Sequence, residues 1–122
     1  MFERPSVPTV ETLTKRPDFL RAARAARAPT PAFLVQARLR RNDEGVSPDL
    51  VRVGFTCSKK VGNAVARNRA KRRLREIARA ILPLEGRPGW DYVLIGKAND
   101  TAARPIEDMV KDLSRALRKI HK

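Results

Sequence analysis

A chain of 122 residues has room for one domain with a single modest core, and its formal net charge of +14, from 27 Lys and Arg against 13 Asp and Glu, asks for a polyanionic partner. The single Cys57 excludes an intrachain disulfide framework and points to a reducing, cytoplasmic setting. No apolar run approaches the ~18 residues of a membrane span, and the N-terminus lacks the apolar core of a secretion signal.

Residues 1–12, with Glu3, Pro5, Pro8 and Glu11 and almost no periodicity, are predicted to be a flexible extension, and 13–122 a single domain. Thr14 to Asp18 reads as a helix start, with Thr14 or Arg16 at the cap, Pro17 in the first turn and Asp18 facing the positive end of the dipole. This helix is expected to run to about Ala26, and Pro29 and Pro31 prevent its continuation. Residues 32–41 and 50–58 alternate with period two and are predicted strands, joined by a turn-rich segment around Asn42 to Pro48. In the first, Phe33, Val35, Ala37 and Leu39 share one face, leaving Leu34, Gln36, Arg38 and Arg40 on the other. In the second, Val51, Val53, Phe55 and Cys57 oppose Arg52, Gly54, Thr56 and Ser58. One sheet face is thus apolar core, and the other is polar, basic and locally flat at Gly54.

A long helix is predicted from about Asn63 to Leu82, ended by Pro83. On a helical wheel Ala66, Ala70, Leu74, Ile77 and Ile81 form a buried stripe, while Asn68, Arg72, Arg75 and Arg79 lie opposite. Asp91 to Lys97 is a third strand, whose continuous Tyr92-Val93-Leu94-Ile95 run predicts burial on both sides. A final amphipathic helix opens near Pro105 and uses Ile106, Met109, Val110, Leu113, Leu117 and Ile120. The order α-β-β-α-β-α specifies an α+β sandwich with a small sheet.

The charge is not spread evenly. Residues 58–79 hold nine basic residues and one acid, Glu76, leaving only +6 for the rest of the chain. An ordinary solvated helix face would carry Glu partners one turn away, so the stripe reads as a phosphate-tracking surface. An anionic membrane is the weaker candidate, since that role wants bulky apolar anchors. Ser58-Lys59-Lys60-Val61-Gly62-Asn63 feeds a helix N-terminus without a nucleotide-loop pattern, and Asn63 is its predicted N-cap. Phe33 and Phe55 are assigned to the core, while Phe19 either staples the first helix to the sheet or lines a groove for an unpaired strand. Arg21, Arg24 and Arg27, with Arg38, Arg40 and Arg52, are expected to edge a basic cleft. Catalysis finds little support: the only histidine, His121, sits in a segment expected to fray, Cys57 stands alone, and Asp43, Glu44, Asp91, Asp100, Glu107 and Asp108 read as turns and helix starts.

The run from Val53 to Arg75, with its Lys-Lys-x-Gly-Asn-Ala-x-x-Arg-Asn-Arg core at 59–69, resembles the signature of the protein subunit of bacterial ribonuclease P. Asp18-Phe19 and Asp91 to Ile95 resemble the same family, so the likeness covers roughly residues 13–119. It implies a sandwich like the second domain of a small-subunit ribosomal protein, with a mixed sheet and a left-handed strand–helix–strand crossover, against the usual right-handed expectation. It also implies that a large RNA is the catalyst, using Mg2+, while the protein needs no cofactor and holds no metal. The implied partners are one ribonuclease P RNA per protein and the 5′ leader of precursor tRNA, with no membrane.

Carried onto this chain, the ribozyme surface would be Lys59, Lys60, Asn63, Arg67, Asn68, Arg69, Lys71, Arg72, Arg73 and Arg75. The leader cleft, between the first helix and the open sheet face, would use Phe19, Gln36, Arg38, Arg52, Gly54, Thr56 and Ser58. Ala23 and Gln36 stand where relatives often place aromatics, so arginine charge is expected to take a larger share of leader binding. Two other classes make different predictions. A stand-alone nuclease would cleave without RNA, and a general duplex binder would show no preference for a leader.

Overall fold

The computed structural model describes residues 9–122. Val10–Thr12 already form a strand, β1, paired in parallel with β4 (Val51–Thr56), so the extension expected over 1–12 is corrected at its end; the remainder, 1–8, lies outside the described residues. Helix α1 (Arg16–Ala23) holds Pro17 and Asp18 in its first turn. Pro17 fits because first-turn N–H groups have no intrahelical acceptor. The helix ends at Ala23, earlier than expected, and Ala26–Pro29 is instead an edge strand, β2, antiparallel to β3 (Phe33–Leu39). Ala-Arg-Ala-Pro carries little strand propensity; the free edge of β3 captures it, and an edge strand tolerates Pro29.

After β4 come a 3-10 turn at Lys59–Val61, helix α2 (Ala64–Glu85) and strand β5 (Trp90–Gly96). A short α3 (Asp100–Ala103), absent from the expected order, and α4 (Ile106–Ile120) close the chain. The sheet order is β1-β4-β5-β3-β2, with β5 parallel to β4 and antiparallel to β3. The fold is therefore α+β with a mixed sheet, as expected, but with two more strands and one more helix. β3 and β4 do not pair across their long loop, because β5 lies between them.

That central place explains the unbroken apolar run of β5. Tyr92 and Leu94 enter the main core, while Val93 and Ile95 face a smaller cluster with Leu13, Phe19 and Ala22. The main core joins Leu74, Ile77 and Ile81 of α2 to Met109, Leu113 and Leu117 of α4 over Phe33, Val35 and Val53. Each such fully buried aliphatic contributes roughly 1.5–3 kcal/mol. Leu39, expected in the same stripe, is 59% exposed at the last register position of β3, opposite Trp90. Nor does α2 stop at Pro83: it runs through to Glu85. The missing N–H would have met the carbonyl of Arg79 on an exposed turn, where water can replace it, and less than one turn remains.

Candidate nucleic-acid interface

The turn into α2 is built by its own side chains. Ser58 Oγ accepts from the Lys60 N–H (3.3 Å), and Asn63 Oδ1 accepts from the Ala66 N–H (2.9 Å), giving the expected N-cap. Gly62 has φ 140°, and a Cβ there would fall 2.8 Å from Ala66 Cβ, so glycine is required to deliver Asn63. Beyond the cap, Ala70, Leu74, Ile77 and Ile81 turn inward, whereas Asn68, Arg69, Arg72, Arg75 and Arg79 are exposed. Arg67 and Lys71 are half-buried, and Lys59 and Lys60 are exposed just ahead of the helix. Among the described residues, none of these lysines and arginines forms an ion pair, and Glu76 pairs with nothing either. Eight cations left without a carboxylate repel one another, and a polyanion relieves that repulsion.

Arg73 departs from this group. Its Nε donates to the carbonyl of Thr101 (2.8 Å) and its Nη2 to the carbonyl of Arg104, tying α2 to the α3 region. Its hydrogen-bonding capacity is directed into the fold, unlike that of its neighbours. Cys57, beneath the same helix, is half-buried, and burial pushes its thiol up despite nearby Lys71 and Arg67.

The opposite sheet face is organised in three cross-strand rows under α1. The first is Arg38–Asp91–Arg52. Asp91 is fully buried; its Oδ1 accepts from Arg40 Nη1 (2.7 Å) and Arg52 Nε (2.8 Å), and its Oδ2 from Arg52 Nη2 (2.7 Å). Arg52 Nη2 also reaches Asp18 Oδ1 of α1 (3.4 Å), itself bonded by Arg21 (3.1 Å). Arg40 adds the carbonyls of Ser47 and Leu50, pinning the β3–β4 loop. Arg38 forks onto Glu44, whose carboxyl it holds down at about 2, and the bonds to Glu44 and Asp91 raise Arg38 and Arg52 in turn. These arginines therefore do not leave an open basic cleft: Arg38, Arg40 and Arg52 are all engaged by the chain's own acids and carbonyls. Asp91 and Glu44, read above as turn residues, are their partners.

The second row is Arg27–Gln36–Val93–Gly54. Phe19 packs on it so closely that a Cβ on Gly54 would fall 2.6 Å from its Cζ. The flat spot expected at Gly54 is thus the seat of the Phe19 ring, and Phe19 is a staple; Gln36 is only 8% exposed. The third row, Pro29–Leu34–Ile95–Thr56, is the accessible one, with Leu34, Ile95 and Thr56 half-buried and Ser58 exposed just beyond. The sequence missed Leu34 and Ile95 as candidates. Their signal was an apolar residue on a strand face otherwise read as polar.

The sequence profile described as Ribonuclease P matches residues 7–121. The chain is 63% identical over 112 residues to the ribonuclease P protein component of Ruegeria pomeroyi, covering 92% of this chain and 87% of that protein. It is 48% identical over 117 residues to the component from Caulobacter vibrioides, covering 96% and 75%. Its fold is similar to the solved RNase P protein from Thermotoga maritima, with a TM-score of 0.68, 26% identity and coverage of 89% and 96%. With the Lys-Lys-x-Gly-Asn turn delivering an unpaired Arg-Asn-Arg face onto the same mixed sheet, the chain belongs to the family of bacterial ribonuclease P protein components, RNA-binding subunits of a precursor-tRNA-processing ribonucleoprotein endoribonuclease.

Proposed function

We propose that α2 and the turn before it form the docking surface for ribonuclease P RNA, and that the accessible row beneath α1 receives the 5′ leader of precursor tRNA. Lys59, Lys60, Arg67, Arg69, Lys71, Arg72 and Arg75 contact ribozyme phosphates, with Asn63 and Asn68 as hydrogen-bonding partners. In the leader cleft Thr56 and Ser58 supply hydroxyls, Leu34 and Ile95 an apolar floor, and Phe19 a wall set by Gly54. Arg38, Gln36 and Arg52 act there by holding that floor and α1 in place. One protein serves one RNA, in the cytoplasm; the RNA holds the Mg2+ and performs the cleavage. The observation that carries this reading is the row of cations from Lys59 to Arg79 without acid partners among the described residues.

The test is reconstitution with the cognate RNA across a Mg2+ titration, with precursor tRNA that carries or lacks a leader. The protein is expected to restore 5′ cleavage at low Mg2+ and to favour the leader-bearing substrate. No gain at any Mg2+ concentration rejects the reading. Equal, salt-sensitive binding to both substrates and to unrelated duplexes would make this a general RNA binder.

A further inference from the structure

Five strands lie beneath two long helices on the main-core face, and the helices do not cover all of them. α2 packs on β4 and β5, and α4 on β2 and β3, so neither helix packs closely on the edge strand β1. Between β1 and α2 this leaves a groove of about 210 Å3. Its floor is Val53 and Ala78, its walls are Val10, Phe55 and Pro83, and its rim carries Arg75 and Arg79. No acid lines it. The Arg75 guanidinium carbon stands 5.7 Å from the centre of the Phe55 ring. Arg75 and Arg79 also continue the four-residue ridge begun by Arg67 and Lys71, so a phosphate chain following the helix arrives at this groove.

We propose that the groove takes one unpaired nucleotide of the partner RNA, its base against Phe55 and Arg75 and its flanking phosphate at Arg79. The proposal rests on α2 being the ribozyme surface. An aromatic face and a guanidinium plane are the two side-chain platforms on which an unstacked base settles, and the apolar floor excludes water from beneath it. Two cations and, among the described residues, no carboxylate at the rim fit a nucleotide and disfavour an apolar peptide. An edge groove also admits a single flipped-out base, whereas the exposed face of α2 meets only backbone.

The experiment uses the full chain bound to its cognate ribonuclease P RNA, with binding measured across a salt series and 2′-hydroxyl acylation read at each nucleotide. Phe55→Leu keeps the apolar volume and removes the ring; Thr12→Trp fills the groove from an exposed position on β1. Both are expected to return one protected, unpaired nucleotide to full reactivity while the rest of the footprint persists. Affinity should fall about tenfold, as for one lost stack, with the salt slope unchanged. Arg79→Gln should instead flatten the slope by about one unit. Wild-type footprints and affinities in both groove variants overturn the proposal. So does a loss spread over the whole footprint with a changed slope, which would mean that α2 itself had shifted. If the wild-type protein leaves no footprint at all, the reading of α2 as the ribozyme surface fails first and takes the groove with it. Thermal melting checks that Phe55→Leu is folded, and Thr12→Trp, outside the core, tests the idea independently.

Discussion

The α2 face and the cleft under α1 are both rich in arginine, yet they are electrostatically opposite. On α2 the guanidinium groups lie on an exposed helix where, among the described residues, none of them is ion-paired, with Glu76 or any other acid, so their charge remains available to a partner. Under α1 they sit on adjacent strands, where cross-strand neighbours are close enough to meet acids, and Asp91, Asp18 and Glu44 neutralise them. A leader lying on the floor of that cleft would meet apolar and hydroxyl groups, with Arg38, Arg40 and Arg52 already engaged and exposed Arg27, without an acid partner among the described residues, beside the second row. Arg38, Arg40 and Arg52 are therefore not free to compensate for the aromatics replaced by Ala23 and Gln36, which leaves that part to Arg24 and Arg27: equal residue types have been put to different work by their surroundings.

The sharpest way to break this contrast is Asp91→Asn. It leaves Arg40 and Arg52 facing a neutral amide in a fully buried site, and removing one partner of a buried pair costs about 3–5 kcal/mol. Urea unfolding should report that loss, and an unchanged midpoint would refute the structural role of the row. Next in size is Phe19→Ala, expected to lower stability by about 2–3 kcal/mol, toward the low end of large-to-small core changes because the ring is only half-buried. A normal melting temperature with reduced leader preference would return Phe19 to a contact role. Arg69→Ala should leave melting untouched while flattening the salt dependence of ribozyme binding by about one unit. Arg52→Gln should do the reverse, lowering stability with no effect on the slope; a slope change there would show that its charge reaches RNA after all.

Smaller effects follow from pH. Glu44 is held at about 2 by Arg38, below its ordinary 4.5, so its contribution is complete above pH 4.5 and drains away as pH falls toward 2. Arg38→Gln should remove that acid-range loss. At the far end of the sheet, His121 Nε2 lies 2.7 Å from the Tyr92 hydroxyl, which also accepts from the Arg87 N–H, and Trp90 packs edge-on against the imidazole. Burial, with Arg87 nearby, lowers the His121 pKa from 6.5, so this support is complete above pH 6.5 and lost as pH drops through the folded value. A His121→Phe variant should lose that shallow dependence below pH 6.5. The supposedly frayed end is thus tied to β5.

Strong local periodicity made much of the molecule legible. The stripe Ala70, Leu74, Ile77, Ile81 and the outward Asn68, Arg72, Arg75, Arg79 were correctly sorted, because a 22-residue helix repeats its pattern often enough to be read. Alternation likewise placed Phe33, Val35 and Val53 in the core, and the apolar run of β5 announced its central position. β1, β2 and α3 were not legible, since each is three or four residues long and is specified by the edge or helix it meets. The outward, unpaired basic face of α2 was readable residue by residue, except for Arg73. The cleft was not: alternation says which face a side chain occupies but not which partner waits there.

By itself the sequence determined the family, the α+β class, the main core and the location of the excess charge, because all of these depend on composition, spacing and period. Only the tertiary structure decided which arginines keep their charge. That depends on register: β5 between β3 and β4 brings Asp91 within reach of Arg40 and Arg52, residues 39 to 51 positions away in the chain. The same register leaves β1 at the edge, where no helix packs closely on it, beside the groove at Phe55.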